Sequence, residues 1–406
     1  MSISPSKRHR VVILGGGYAG LTLAQRLSRR GQALAITLID VESEFQQRIR
    51  LHQVAAGHTV RAFRYADFLG PQGIAFLQAR VTALNPAACT LAVQLPTGAS
   101  ATLGYVYLIY ALGSNMDLDR VAGAREHAQA LQSPAAAQRV HAALSHMDRA
   151  RVLVVGGGLT GIETAAELVE SVPGLKVTLA FDRPFCAAAA PGGYDQKAVD
   201  YLNRAFELRN VKLRSGARVT ALRDGVAELS DGQEMGFDVC IWTTGFAPPG
   251  LAHASGILVN ARGQIMTDAS LRSLSHPNII AIGDAAQAHS IGAGALRMGS
   301  ATGLAMAPAG ARTVLSLLAG REPPAFRFVY LFRNISLGRH DGLVQFVDRD
   351  DAPRPLVWTG AVAAAWKEYI CNSTLATVGL TRQQAPTAMP PLRMLPQLLR
   401  GFRQYA

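Results

Sequence analysis

The chain is poor in the features that mark several common classes of protein. Its four cysteines, Cys89, Cys186, Cys240 and Cys371, stand far apart with no CxxC or CxxxxC pair. That spacing excludes a local redox disulfide and a zinc knuckle, and it predicts structural thiols. The histidines lack metal-ligand spacing too. His141 and His146 are five apart and do not share a helix face as an i, i+4 pair would, so no metal site is expected. Uncharged apolar runs of about eighteen residues, the length that crosses a bilayer, are missing. The richest stretch, GLAMAPAGARTVLSLLAG at 303–320, is interrupted by Pro308 and Arg312. The basic start SPSKRHR leads straight into a strand without the apolar segment of a secretory signal, which points to the cytoplasm. A Ser/His/Asp or paired-carboxylate signature is also lacking.

What is present is a packed globular chain of 406 residues, 49% hydrophobic and 17% charged, long enough for two or three domains. Its net charge of +12 asks for an anionic partner. The basic residues are scattered and not interleaved with aromatics, which argues against nucleic acid and leaves an anionic membrane surface or acidic cofactors.

The chain repeats itself. VVILGGGYAGLTLA at 11–24 is matched by VLVVGGGLTGIETA at 152–165, and ARVTAL at 79–84 returns at 217–222. Turn signals follow each copy, LPTG at 95–98 and LSDG at 229–232, and then an apolar strand ending in glycine, YVYLIYALGS at 105–114 and FDVCIWTTGF at 237–246. Features recurring in one order at nearly one offset mean one domain used twice. Each copy reads strand, glycine turn, helix, strand, so the expected fold is α/β: two tandem Rossmann-like dinucleotide-binding domains followed by a C-terminal α/β region.

In the first turn Gly15, Gly17 and Gly20 flank Tyr18 and Ala19 between an apolar strand and an alanine- and leucine-rich helix. Glycines let backbone approach a pyrophosphate, and a helix N-terminus offers unpaired N–H groups with a positive dipole end. Asp40 ends the next strand about 20 residues after the last glycine, where a carboxylate accepts from ribose hydroxyls. The second turn has Gly156, Gly158 and Gly161, with Glu163 and Glu167 in its helix. For Glu163 a simple complement to the helix dipole is an equal reading. Phe181 stands where Asp40 stands in the first copy, with Asp182 and Arg183 next, so the choice between NADH and NADPH stays open.

These paired turns, with NIIAIGDAA at 278–286, resemble the two-dinucleotide flavoproteins of the pyridine nucleotide oxidoreductase superfamily. The resemblance covers about 1–320 and implies FAD in the first fold and NADH or NADPH in the second. It places Arg50, Val81, Ala111, Gly113, Asp182, Gly245, Gly283 and Asp284 among the cofactor contacts, with Asp284 on the flavin's ribityl and phosphate region. FQQRIRLHQVAAG at 45–57 has no redox cysteine pair, which sets aside the disulfide reductases. That stretch is similar to the flavin-side segment of type II NADH dehydrogenases and ferroptosis-suppressor-like quinone reductases. ISLGRHDGLVQF at 335–346 and AAAWKEYICNST at 363–374 are similar to the C-terminal region of the latter. The resemblance then implies that Lys367 pairs with Glu163 near the flavin and that both take part in catalysis. LRMGSATGLAMAPAG departs from the type II pattern, having no glutamine where that group lines its quinone site.

The expected domains are a discontinuous FAD-binding domain of 1–118 and 251–322, an NAD(P)H-binding domain of 119–250, and an interface or membrane-association region of 323–406. In LRMLPQLLRGFRQYA at the C-terminus, Leu395, Leu398, Leu399 and Phe402 share one helical face and Arg393, Arg400 and Arg403 add charge. Lying in an anionic lipid surface and packing on the body or a second copy are equal readings of this segment. The leading function is transfer of hydride from NAD(P)H to FAD and of electrons to a quinone-type acceptor. Its setting is the cytoplasm or the inner face of the cytoplasmic membrane, and a homodimer stays open. The alternatives are a reductase for a ferredoxin-like protein, a biosynthetic tailoring flavoenzyme and a nucleotide-sensing protein without turnover.

Overall fold

The computed structural model describes residues 8–30, 34–185 and 192–380. Cys186 and the amphipathic segment beyond 391 lie outside the described residues. The chain divides into two compact units. The first comprises residues 1–49, 60–117 and 245–330, the second residues 50–59, 118–244 and 331–406.

Each unit is built on a five-stranded sheet. In the first the strands run Ile279–Ala281, Tyr107–Tyr110, His9–Leu14, Leu34–Asp40, Ile74–Gln78, all parallel. Val11, Ile13, Leu14, Leu38, Leu108 and Ile109 have no exposed surface, as befits strands covered on both faces. The helix Tyr18–Ser28 packs against the helix Ser300–Leu318, which continues through Pro308. A Cβ at Gly310 would come within 2.9 Å of Leu23, so glycine sets how closely the two helices approach.

The second sheet repeats the plan, in the order Ala128–Ala130, Val239–Trp242, Arg151–Val155, Lys176–Phe181, Lys212–Ser215, again all parallel. The repeat extends to details. ARVTAL opens a three-stranded antiparallel sheet in both units, with a bulge between Val81 and Ala83 in one and between Val219 and Ala221 in the other. Thr82 and Thr220, at the bulges, donate to the carbonyls of Ala92 and Glu228 at 3.3 and 3.2 Å.

The second unit adds an antiparallel sheet of Phe332–Ser336, Gly342–Val347 and Pro353–Thr359, and then the helix Gly360–Thr377. Phe346, Trp358 and Trp366 pack edge to face between them, with ring centroids 5.0 and 5.9 Å apart. Asp341 accepts from Tyr201 at 2.6 Å and Arg209 at 2.8 Å, tying the added sheet to the helix Gln196–Leu208. Among the described residues no helix is long and apolar enough to cross a membrane, and no His, Cys, Asp and Glu cluster is placed to hold a metal.

Candidate dinucleotide and acceptor sites

The two glycine turns share one construction. Gly15 and Gly156 have φ of +98° and +121°, a region open to glycine, and donate to Ile39 O and Ala180 O at 2.8 Å each. Gly20 and Gly161 press on the carbonyls of Gly15 and Gly156, leaving no room for a Cβ. Gly17 and Gly158 differ. Their φ of −65° and −76° suits any residue, and a Cβ on either would meet nothing within 4 Å. Neither conformation nor protein packing calls for glycine there, and in dinucleotide turns this is the position at which backbone approaches a pyrophosphate. Both turns lead into helices whose N-termini have no side-chain cap, as is also true of Ser300–Leu318 and Gly360–Thr377. Uncapped N–H groups facing open space form an anion cradle, so the turns fit pyrophosphate groups.

Around the first turn, Asp40 accepts from the N–H of Gly16 at 2.6 Å and of Glu42 at 2.9 Å. Burial raises its pKa more than these bonds lower it. Tyr65 donates to Gly16 O at 2.9 Å and packs under the turn. Tyr18 is buried edge-on against Phe45, at 5.0 Å between centroids. Asp284 accepts from Ser114 Oγ and from the Gly299 N–H, both at 2.7 Å, so it joins the end of one sheet strand to the start of the long helix. Gly283, with φ of +70°, lies beside Ala19. Ala111 donates to Leu14 O at 2.9 Å, and Gly113 and Gly245 hold positive φ at the ends of their strands. Val81 lies on the antiparallel sheet.

Arg50 belongs to the second unit and forms a bidentate ion pair with Glu368, at 2.6 and 2.9 Å, with Asn372 at 3.0 Å. The arginine that stays in the first unit is Arg48, which donates to Ser114 O at 2.8 Å. A half-buried partner 318 residues along the chain is no local signal.

At the second turn the Phe181 ring covers Gly157, within 2.7 Å of where a Cβ would be, and stacks on Phe185 at 4.6 Å. An aromatic ring thus occupies the position of the Asp40 carboxylate. Asp182 and Arg183 are exposed, 57% and 88%, and 4.0 Å apart.

The helix after this turn, Leu159–Ser171, leads to a buried polar cluster within the same unit. Lys367 Nζ lies 2.8 Å from Glu163 Oε1, with the two side chains 16% and 8% exposed. Glu163 also accepts from the Ser336 N–H at 3.1 Å. Burial alone would raise the Glu163 pKa, but the charge of Lys367 more than reverses this and holds it low; the same pairing raises Lys367 despite its burial. Glu163 is therefore a buried partner of Lys367 and not a solvated dipole complement. His52 is buried beside it and pushed down to about 4, mainly by burial. A cleft of about 270 Å³ adjoins Lys367, lined among others by Gln53, Ser336, Arg339, Ala361 and Ala364. Gln53 and His52 were not singled out by sequence reasoning; both lie in the quoted stretch 45–57, where the sequence marked only Arg50.

Two parallel α/β units, each with a phosphate-type glycine turn, define a two-dinucleotide protein. The chain belongs to the pyridine nucleotide-disulphide oxidoreductase family, whose profile matches residues 9–307. It is 30% identical, over 84% of its length and 73% of the relative's, to the alternative NAD(P)H-ubiquinone oxidoreductase C1 of Arabidopsis thaliana. It is 27% identical, over 92% and 96%, to the type II NADH:quinone oxidoreductase of Staphylococcus haemolyticus. Its fold is similar to the sulfide:quinone oxidoreductase of Aquifex aeolicus, with a TM-score of 0.79 and 18% identity over 98% and 96% of the two chains.

Proposed function

We propose that this protein is an FAD-dependent NAD(P)H dehydrogenase that passes electrons to a quinone. The observation that carries the cofactors is the pair of unencumbered glycines, Gly17 and Gly158, each at an uncapped helix N-terminus. The acceptor rests on the relatives named above and on the cleft beside Lys367.

FAD would be held by the first unit: its pyrophosphate at Gly15, Gly17, Tyr18, Ala19 and Gly20, its ribose at Asp40, and its ribityl chain near Gly283 and Asp284. Ser114 and Gly299 fix the Asp284 carboxylate for that task. NAD(P)H would lie on Gly156, Gly158 and Gly161. FAD held there would supply the redox chemistry, hydride acceptance from a nicotinamide and release of electrons to an acceptor. The protein's part is positioning and electrostatics. Lys367, cationic beside the cleft, stabilises the negative charge that grows on a quinone oxygen, and Glu163 holds it in place.

The domain assignment follows from this: the first unit is the flavin half, the second the nicotinamide half, with the C-terminal sheet and helix bounding the acceptor cleft. We further propose that the protein works at the inner face of the cytoplasmic membrane, where a lipid-soluble quinone is found, and that a second copy of the chain is a candidate partner.

Purified protein should be yellow and should bleach anaerobically on addition of NADH or NADPH, with colour restored by a soluble quinone. A colourless preparation that cannot be reconstituted with FAD would overturn the reading. Reduced protein that quinone does not reoxidise would overturn the acceptor alone.

A further inference from the structure

Glu167 is the most unusual side chain in the second unit. It has no exposed surface, and neither carboxylate oxygen makes a well-aligned hydrogen bond among the described residues; its contacts are ion-pair distances to His58, Arg339 and His52. His52 Nε2, equally buried, also lacks such a bond. Leaving such groups unpaired costs about 1–3 kcal/mol each, so their placement calls for a reason.

The geometry supplies one. Glu163 Oε2 lies 3.9 Å from His52 Nδ1, and His52 Nε2 lies 4.0 Å from Glu167 Oε2. Glu167 Oε1 is 3.1 Å from Nε2 of His58, whose side chain is 41% exposed. His58 Nε2 also bonds Ser171 Oγ at 2.9 Å. The row Lys367, Glu163, His52, Glu167, His58 thus runs from the acceptor cleft to water, entirely inside one unit. Its two gaps near 4 Å are of a length closed by rotation of the imidazole or by one bridging water.

We propose that this row is a proton relay that feeds the acceptor cleft from solvent. The inference rests on the quinone reading and deepens it. In that reaction NAD(P)H, one proton and a quinone give NAD(P)+ and a quinol. The hydride brings two electrons and one hydrogen nucleus, so the second proton has to come from water. Lys367 gives a proton to the quinone oxygen, and with its charge gone Glu163 is no longer held low. Glu163 then takes the Nδ1 proton of His52, which accepts from Glu167 at Nε2, and Glu163 passes that proton to Lys367. Glu167 is reloaded through His58. His52 then returns to its starting tautomer before the next turnover.

The surroundings suit each member to its step. Burial raises Glu167 to about 7, with Glu170, Glu163 and Glu368 adding to the rise and Arg339, 3.8 Å away, opposing it. It is therefore close to half protonated at neutral pH. His52, held at about 4 by burial together with Lys367, Arg339 and Arg50, stays neutral and can accept at one nitrogen while donating at the other. His58 is lowered by burial and Arg339 and raised by Glu170. His141, against Gly57, and Cys371, beside Lys367, are the remaining titratable neighbours.

The test compares Glu167→Gln and His58→Gln with the wild-type holoenzyme. Three things are measured: anaerobic flavin reduction by NADH, turnover with a soluble quinone, and turnover with ferricyanide, a one-electron acceptor that takes up no proton. Quinone turnover should fall about tenfold or more in both variants, with the two other rates within about twofold of wild type. Infrared difference spectra of the resting protein should show a carboxylic acid band titrating near pH 7 that Glu167→Gln lacks. His58→Gln, at the rim, keeps the test intact if the buried substitution impairs folding. Wild-type quinone rates and an unchanged pH profile in the variants would overturn the relay. Wild-type protein that transfers nothing to quinone would overturn the functional reading and the relay with it.

Discussion

Glu163 and Glu167 stand one helical turn apart on Leu159–Ser171, and their neighbours push them in opposite directions. Lys367 at 2.8 Å keeps Glu163 ionised against the cost of its burial. Among the described residues Glu167 has only the more distant Arg339, at 3.8 Å: burial dominates and lifts it to about 7. Two carboxylates on one helix face are thereby given different resting protonation states near neutral pH: Glu163 is ionised while Lys367 is charged, and Glu167 can load and release a proton.

The opposite shifts predict opposite contributions to stability. Glu167 is raised, so the folded protein holds a proton that the unfolded chain has released, and stability falls as pH rises from about 4.5 to about 7. Glu167→Gln removes this loss, worth up to about 3 kcal/mol above pH 7. Its melting temperature should exceed that of wild type at pH 8 and converge with it near pH 4.5. Parallel curves across this range would show that Glu167 does not titrate.

Glu163 is lowered, and its contribution is present above the unfolded value and lost as pH falls through the folded one. Removing either member of its pair leaves a buried, uncompensated charge, a loss of about 3–5 kcal/mol. Lys367→Met and Glu163→Gln should each be destabilised to that extent in denaturant titrations, while the double variant recovers most of the loss. In stopped flow, Lys367→Met should slow reoxidation of the flavin by quinone more than its reduction by NADH. Equal effects on both half-reactions would make Lys367 a purely structural partner.

How much of this was legible in the sequence depends on the distance over which each feature is encoded. The glycine turns, the strand ends and the ARVTAL bulges are local, and the duplication made each visible twice. The Lys367 and Glu163 contact spans 204 residues and was reached through resemblance, not spacing. Nothing local marks Glu167, because an acidic residue in a helix ordinarily faces water. Its burial is produced by the 50–59 segment and the Arg339 loop packing over that face. Arg50 shows the same limit, since its carboxylate comes from the far C-terminal helix.

Gly17 and Gly158 test the cofactor assignment without disturbing the fold. Alanine at either position meets no protein atom and needs no unusual φ, so stability should change by no more than about 1 kcal/mol. Gly17→Ala should purify with little flavin. Gly158→Ala should keep its flavin but show a KM for NADH raised about tenfold or more, read by steady-state kinetics. Exchange of these two phenotypes would reverse the assignment of the units.

Phe181 covers Gly157 where the first unit has a carboxylate, and exposed Asp182 and Arg183 follow it, Arg183 being the one with the sign to hold a 2′-phosphate. Arg183→Ala should therefore raise the KM for NADPH several-fold while leaving that for NADH within about twofold. Equal changes for both would mean that Arg183 does not meet the ribose.

The membrane assignment depends on residues 392–406, outside the described part of the chain, and on their pattern of Leu395, Leu398, Leu399 and Phe402 opposite three arginines. Each arginine near an anionic surface contributes about 1 kcal/mol, falling off within a Debye length, so the attraction should be strong at low salt and weak at high salt. Intact protein should co-sediment with vesicles containing anionic lipid and not with zwitterionic ones, and protein truncated after Gln384 should stay in the supernatant. The truncated form should retain turnover with a water-soluble quinone yet lose it with a quinone confined to the vesicles. Equal sedimentation of both forms would remove the anchor, and if both sediment it would leave the body of the protein, whose charge is the chain's +12 less these three arginines, as what meets the membrane.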